Sequence, residues 1–281
     1  TPTTTTTTVP VSTSTTTSAP VITTATTTTT TSGPTTTAPA PPASATNPCP
    51  TTGARVWEVR PASGIAPPQL PDGWRTESAG TSVQGRDLTV LVRPVDAPTR
   101  TVMVIGGIHG NEPVSPPTVN ALVDVAIPDD TEVWLLPLLN PDGSAIGTRC
   151  NANGVDLNRN FSWDWRAIDG GPAPFSEPEP AAAARLVERV DPDLVVWVHQ
   201  PLNYVAALRG CPEWYADIWS DVADVPVRKN LAQIGGGESW ASRRLGIPSM
   251  LIEVGGTRTE PIGVNGHIAA LEALIFAVQP T

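Results

Sequence analysis

The chain reads as an α/β domain with a mixed, mostly parallel central sheet flanked by helices, preceded by a Thr/Pro-rich tail. Three observations predict this. Between residues 87 and 278, β-branched runs alternate with segments of helical pattern. Two of those runs, 193–198 (DLVVWV) and 249–254 (SMLIEV), are nearly all apolar, as in strands covered on both faces. Residues 1–48 contain no Asp, Glu, Lys, Arg or His and are almost entirely Thr, Pro, Ser and Ala. Such a segment has too little apolar surface to offset the entropy of ordering its backbone. It is expected to be a disordered tether, either plain or O-glycosylated, and 49–281 to be one ordinary domain with a substantial core.

The elements follow in order. Residues 87–92 (DLTVLV) and 101–105 (TVMVI) are expected strands bounded by turn residues. Apolar residues at helical spacing predict a helix over 114–126, and EVWLL predicts a strand at 132–136. Asn140-Pro141-Asp142-Gly143 is a turn signal. Ser176-Glu177-Pro178-Glu179 resembles a helix entry with Ser176 as N-cap, and the Ala-rich 180–190 segment continues it. Helices are expected at 237–245 and 264–278, on either side of the strand at 249–254.

The net charge of −10 lies wholly within 49–281. An acidic surface argues against nucleic acid or an anionic membrane as partner. No apolar run is long enough to span a membrane. The tail suggests export with a signal peptide already removed, hence a secreted or cell-wall-associated protein. The three cysteines, Cys49, Cys150 and Cys211, are not at zinc-finger spacing. In an exported protein a Cys150–Cys211 bridge is expected, with Cys49 left over.

The chemistry-bearing residues fall at strand ends, where open α/β sheets build their sites. In Gly106-Gly107-Ile108-His109-Gly110-Asn111-Glu112-Pro113, an imidazole and a carboxylate three apart sit on a Gly-rich turn after a strand. With His199 at the end of a later strand they make three ligands suited to one Zn²⁺, leaving a fourth position open. The second dense segment runs from Asn153 to Phe161. Asn158 and Arg159 offer a planar multi-donor clamp for a carboxylate. Arg149 could reach a carbonyl under attack. Asp156 could hold the imidazole of a metal ligand from behind.

The ordered set His109-x-x-Glu112, Asp156-Leu157-Asn158-Arg159, strand-end His199 and Glu253 before the closing helix resembles the zinc carboxypeptidase superfamily over roughly residues 75–280. The compact length is most similar to its murein peptide amidase branch. So are the Asn-Pro-Asp-Gly and Ser-Glu-Pro-Glu texts and the spacing of Arg149 to Asn158-Arg159. The resemblance implies that His109, Glu112 and His199 hold zinc and that Glu253 is the general base and acid. It further implies that Asn158 and Arg159 bind the substrate's free α-carboxylate and that Arg149 stabilises the oxyanion. A carboxylate in Met-Leu-Ile-Glu-Val-Gly would be costly to bury without a partner or a function. The same alignment places Leu231 where digestive members carry a mobile Tyr, with neither Tyr204 nor Tyr215 near it in sequence. It places Glu238 at the pocket for the residue beyond the cleaved bond, where an acid would favour an amine-bearing residue such as diaminopimelate.

The implied function is zinc-dependent hydrolysis of an amide bond beside a residue with a free carboxylate, in murein peptides at the γ-D-glutamyl–diaminopimelate bond. The alternatives are a carboxypeptidase trimming protein C-termini with a basic preference, an acyl-amino-acid deacylase of the aspartoacylase kind, and a wall-associated binding module. The Ser-Glu-Pro-Glu segment and the later Gly-Gly…Trp region count against the deacylase. An intact Glu253 counts against a module that only binds.

Overall fold

The computed structural model describes Cys49, residues 68–257 and residues 260–280. The expected tether over 1–48 lies outside these. A seven-stranded sheet forms the centre, in the order β1-β2-β4-β3-β5-β7-β6. Its strands are β1 (Arg75–Thr81), β2 (Asp87–Arg93), β3 (Arg100–Gly106), β4 (Thr131–Leu136), β5 (Leu194–His199), β6 (Tyr204–Ala207) and β7 (Ser249–Glu253). The inner strands β4, β3, β5 and β7 are parallel. β2 and β6 join them antiparallel, and β1 pairs antiparallel with β2. The sheet is thus mixed with a parallel centre. A two-stranded ribbon, β8 (Gly255–Gly256) and β9 (Pro261–Ile262), follows β7.

Alternation along the strands sends side chains to two apolar layers. Val102, Val104, Val196 and Val198 belong to one layer, with Trp219 from α4 (Glu213–Ala223) and Leu271 and Leu274 from α6 (Val264–Ala277). Met103, Ile105, Val195 and Trp197 belong to the other, with Phe161, Trp240 and the apolar face of α3 (Pro178–Val190). Covering on both faces accounts for the all-apolar β5 and β7.

Several expectations are corrected. The segment 114–126 divides into α1 (Ser115–Asn120) and a 3₁₀ turn, Ala121–Asp124. Asn140-Pro141-Asp142-Gly143 is the start of α2 (Pro141–Ile146), with the Asn140 side chain accepting from the Gly143 N–H at 2.8 Å. Asn is a turn former and an N-cap for the same reason, its short acceptor side chain, so the text alone did not separate the two. Glu177, not Ser176, caps α3, and it makes no capping hydrogen bond through its side chain. The helix expected at 237–245 is α5 (Gly237–Trp240) followed by a π turn, Ala241–Leu245. β1, β6 and α4 had not been expected.

The chain leaves β3 for β4 on one side and later returns to β5 on the other. A crevice opens between strands at such a reversal, beyond their carboxyl ends. That is where β3 runs into His109 and β5 ends in His199.

Candidate metal centre and active site

Local packing sets the turn that carries His109 and Glu112. Gly110 lies so close to the backbone of Gly143 that a Cβ would overlap it. Ser115 accepts from the Gly107 N–H at 2.8 Å and donates to the Val198 carbonyl at 2.6 Å, tying the turn to the end of β5. The Val114 N–H donates to the side-chain oxygen of Gln200 at 3.2 Å, a second tie between the same two segments.

These ties bring the three expected ligands together. His109 Nδ1 lies 2.8 Å from Glu112 Oε1, and His199 Nδ1 lies 3.2 Å from Glu112 Oε2. One ligand atom from each residue falls within 4.8 Å of the others, and all three residues are buried. Two imidazole nitrogens and a carboxylate oxygen form the donor set of a zinc site. Burial alone would raise the Glu112 carboxyl, but His109 and His199 beside it hold it well below the usual carboxylate range. Burial lowers His199, yet the Glu112 carboxylate outweighs that and raises it to about 9. On the far side of His109, Asp156 Oδ1 stands 3.1 Å from Nε2, fixing the ring with Nδ1 toward Glu112. Arg149 Nε donates to the other Asp156 oxygen at 2.8 Å, and its Nη1 is 3.9 Å from Glu112.

Glu253 is the register partner of His199 across β5 and β7, so both side chains stand on one face of the sheet. Its Oε2 accepts from the Leu202 N–H at 3.2 Å. Burial raises its pKa, and although His199 pulls it back down, the Glu112 charge adds to the rise. Such a carboxylate is a better proton acceptor than one in water.

Asn158 is buried. Its side-chain oxygen accepts from the Gly237 N–H at 2.9 Å, and its own N–H donates to Asp156 at 3.0 Å. Arg159 donates from Nη1 to the Asn158 carbonyl at 2.7 Å. The Gln233 amide oxygen, oriented to satisfy both groups, also accepts from the Arg159 guanidinium. Glu238 lies fully buried on α5, with both carboxylate oxygens unpartnered, where an open pocket wall had been expected. Burial raises its pKa. Neighbouring Gly237 packs against the Trp197 ring so closely that any side chain would collide.

The disulfide expectation is corrected. Cys49 bonds to Cys150, with Cα atoms 5.8 Å apart, and Cys211 is free and buried. Cys211 belongs to the apolar layer beneath α4, where burial pushes its thiol up to about 12. Cys150 instead follows Arg149 on the rim of the site.

Sequence reasoning also missed residues that hold the site's loops. Asn140 Nδ2 donates to the carbonyls of Ile108 at 3.3 Å and Arg149 at 3.2 Å, joining the ligand turn to the arginine loop. Asn151 donates to Glu177 at 2.7 Å and to Glu179 at 3.1 Å, while its oxygen accepts from the N–H groups of Asn153 and Val155. The Ser-Glu-Pro-Glu text is the signal for these acids, since it marks a helix entry and a family resemblance but names no partner for either carboxylate. Tyr204, distant from Leu231 in sequence, belongs to the cluster on which Leu231 packs and is the cross-strand partner of Glu253.

The zinc carboxypeptidase family model matches residues 68–234. The chain belongs to the zinc carboxypeptidase family. The match includes all three ligands, Arg149, Asn158 and Arg159, and ends before Glu238 and Glu253. Murein peptide amidase A of Escherichia coli (strain K12) is 34% identical over 161 residues, which are 50% of this chain and 66% of that protein. The Vibrio campbellii murein peptide amidase A is 30% identical over 146 residues, 46% and 58% of the two chains. The chain therefore spans less than two thirds of the length of these relatives, 66% of one and 58% of the other. Among solved structures, the murein-tripeptide amidase MpaA from Escherichia coli O157 superposes with a TM-score of 0.58 at 26% identity, over 74% of this chain and 93% of that one. Thrombin-activatable fibrinolysis inhibitor gives a TM-score of 0.64 at 18% identity, over 74% and 70%, and shows the shared fold. The family's metal is zinc, and the His109–Glu112–His199 triad of this zinc carboxypeptidase family member fits it.

Proposed function

We propose that this protein is an exported zinc hydrolase that cleaves the amide bond before a residue with a free carboxylate in cell-wall murein peptides. The observation that carries it is the placing of Glu253 beside His199, in register on adjacent strands, at the edge where His109 and Glu112 converge. The likeness to murein peptide amidase A supports the substrate class. The bond this reading names is the γ-D-glutamyl–diaminopimelate amide, whose leaving residue brings a free α-carboxylate to Asn158 and Arg159; Glu238, fully buried, does not face that residue.

When bound by His109, Glu112 and His199, zinc supplies Lewis acidity and makes a water nucleophilic near neutral pH. Asp156 keeps His109 oriented. Asn158 and Arg159 bind the substrate's α-carboxylate by charge-assisted hydrogen bonds. Arg149 donates to the carbonyl oxygen as negative charge builds there. Glu253 takes a proton from the attacking water and returns one to the leaving amine.

The test is to incubate the full chain with muropeptides and with peptides ending in Lys, Arg and Leu, and to identify products by mass. Release of diaminopimelate-containing products is expected. Equal cutting of a Leu-ended peptide would shift the reading to a general carboxypeptidase.

A further inference from the structure

Gln200 follows His199 directly at the end of β5 and is 2% exposed. Its side chain makes two hydrogen bonds of opposite sense. The amide oxygen accepts from the Val114 N–H at 3.2 Å, and Nε2 donates to the Thr257 carbonyl at 2.8 Å. Val114 is two residues beyond Glu112, and Thr257 is four beyond Glu253. One buried amide thus joins the three segments that carry His199, Glu112 and Glu253.

The segments depend on it to different degrees. The turn with Glu112 is also held by Ser115, which bonds to the Gly107 N–H and to the Val198 carbonyl. The backbone leaving Glu253 is tied to β5 at its start, where the Val254 N–H donates to the His199 carbonyl at 2.9 Å. It then turns away as β8, which pairs with β9. Thr257 closes that ribbon: its N–H donates to the Glu260 carbonyl at 3.0 Å, and its hydroxyl accepts from the Glu260 N–H at 2.9 Å. The bond from Gln200 to Thr257 fastens the closed ribbon back to the metal edge. Glu253 itself accepts from the N–H of Leu202, two residues after Gln200.

The position calls for a carboxamide. A peptide N–H on one side needs an acceptor, and a peptide carbonyl on the other needs a donor. Gln offers both without a charge. An ionised carboxylate would set a second acceptor against the Thr257 carbonyl. An apolar side chain would leave both peptide groups without this partner, at a cost in free energy.

We propose that Gln200 is a positioning residue for hydrolysis: its amide fixes the backbone that leaves Glu253 against the turn that carries Glu112, and so sets the distance from the base to the metal ligands. This rests on the reading of the protein as a zinc hydrolase with Glu253 as base, and adds to it. Gln200 acts through the two loops it joins, and displacing a reacting group by about 1 Å is enough to cost ~10²-fold in rate.

The test compares the zinc-loaded full chain with Q200M, Q200E and the control I275V, a core change on α6. Zinc affinity is read by competition with a chelator, amide exchange by NMR, and kcat and KM on muropeptides. Because the Leu202 N–H donates to Glu253, its exchange reports the place of the base without any turnover. In Q200M the amides of Leu202 and of the ribbon are expected to exchange about tenfold faster or more, the loss of one hydrogen bond. Its kcat should fall about 10–100-fold with KM unchanged. Q200E, with its carboxylate ionised, keeps the acceptor for Val114. It should therefore keep wild-type zinc affinity while its ribbon amides exchange as fast as those of Q200M. I275V should lower the unfolding midpoint and leave kcat and Leu202 exchange as in the wild type. Wild-type kcat and Leu202 exchange in Q200M would overturn the proposal and leave the hydrolase reading standing. An equal loss of both in I275V would make Gln200 a residue of general stability and also overturn it. If the wild type cuts no muropeptide, yet Q200M frees the Leu202 and ribbon amides and I275V does not, the clamp stands and the hydrolase reading falls.

Discussion

Glu253 and His199 owe their proximity to register, so each can be altered without moving the other's strand. Glu253→Gln keeps the shape of the side chain but cannot accept a proton. It is expected to retain zinc by elemental analysis and to lose about 10²–10⁴-fold in turnover, the usual contribution of general acid–base action. A loss below about tenfold would show that another group is the base. Asp156 acts one step back, through His109 Nε2 at 3.1 Å and Arg149 Nε at 2.8 Å. Asp156→Ala should weaken zinc binding by about 10–100-fold, the effect typical of a group that orients a ligand. Competition with a chelator measures this directly, and an unchanged zinc affinity would remove Asp156 from the metal centre.

At the scale of elements, α4 and α6 pack together over one face of the sheet and meet at a buried polar pair. The Trp219 Nε1–H donates to His267 Nδ1 at 3.2 Å, which requires a neutral imidazole with that nitrogen bare. Burial lowers the His267 pKa from 6.5 to about 4. The unfolded chain therefore binds the proton first as pH falls. The contribution of His267 to stability is complete above about pH 6.5 and is lost as the pH drops toward 4. Denaturant melts from pH 7 to 4 should show this loss, and His267→Gln should flatten it over that window. An identical pH profile in the variant would assign the loss to other groups. The loop from Arg149 to Asp156 depends on a different element, the start of α3. Glu177→Ala removes the acceptor for Asn151 and Asn153. It is expected to lower kcat by loosening Arg149 while zinc content stays at one per chain.

For the molecule as a whole, the Cys49–Cys150 bond joins residues 101 apart in sequence and ends next to Arg149. Closing so long a loop restricts the unfolded chain, and losing a native bond of this kind typically costs ~2–5 kcal/mol. The double variant C49S/C150S should unfold at lower denaturant by a margin of that size. No change in midpoint would mean that the bond contributes nothing to stability. Deleting residues 1–46, upstream of Cys49, should leave both the melting temperature and turnover of small soluble substrates unchanged, because the segment has no charge and few large apolar groups. A large fall in melting temperature would refute the tether.

What the sequence determined by itself was local in origin. The apolar runs of β5 and β7 declared buried strands. The types and order of His109, Glu112 and His199 declared a zinc triad, because metal ligands are chosen for their functional groups. Tertiary structure alone decided which cysteine meets Cys150 and that Tyr204 stands beside Glu253. It also decided that Glu238 is sealed from solvent, and that the Gln200 amide reaches both Val114 and Thr257. Each of these is a contact between residues far apart in the chain. Such contacts depend on strand order and register, and the identity of neighbouring residues carries no record of either.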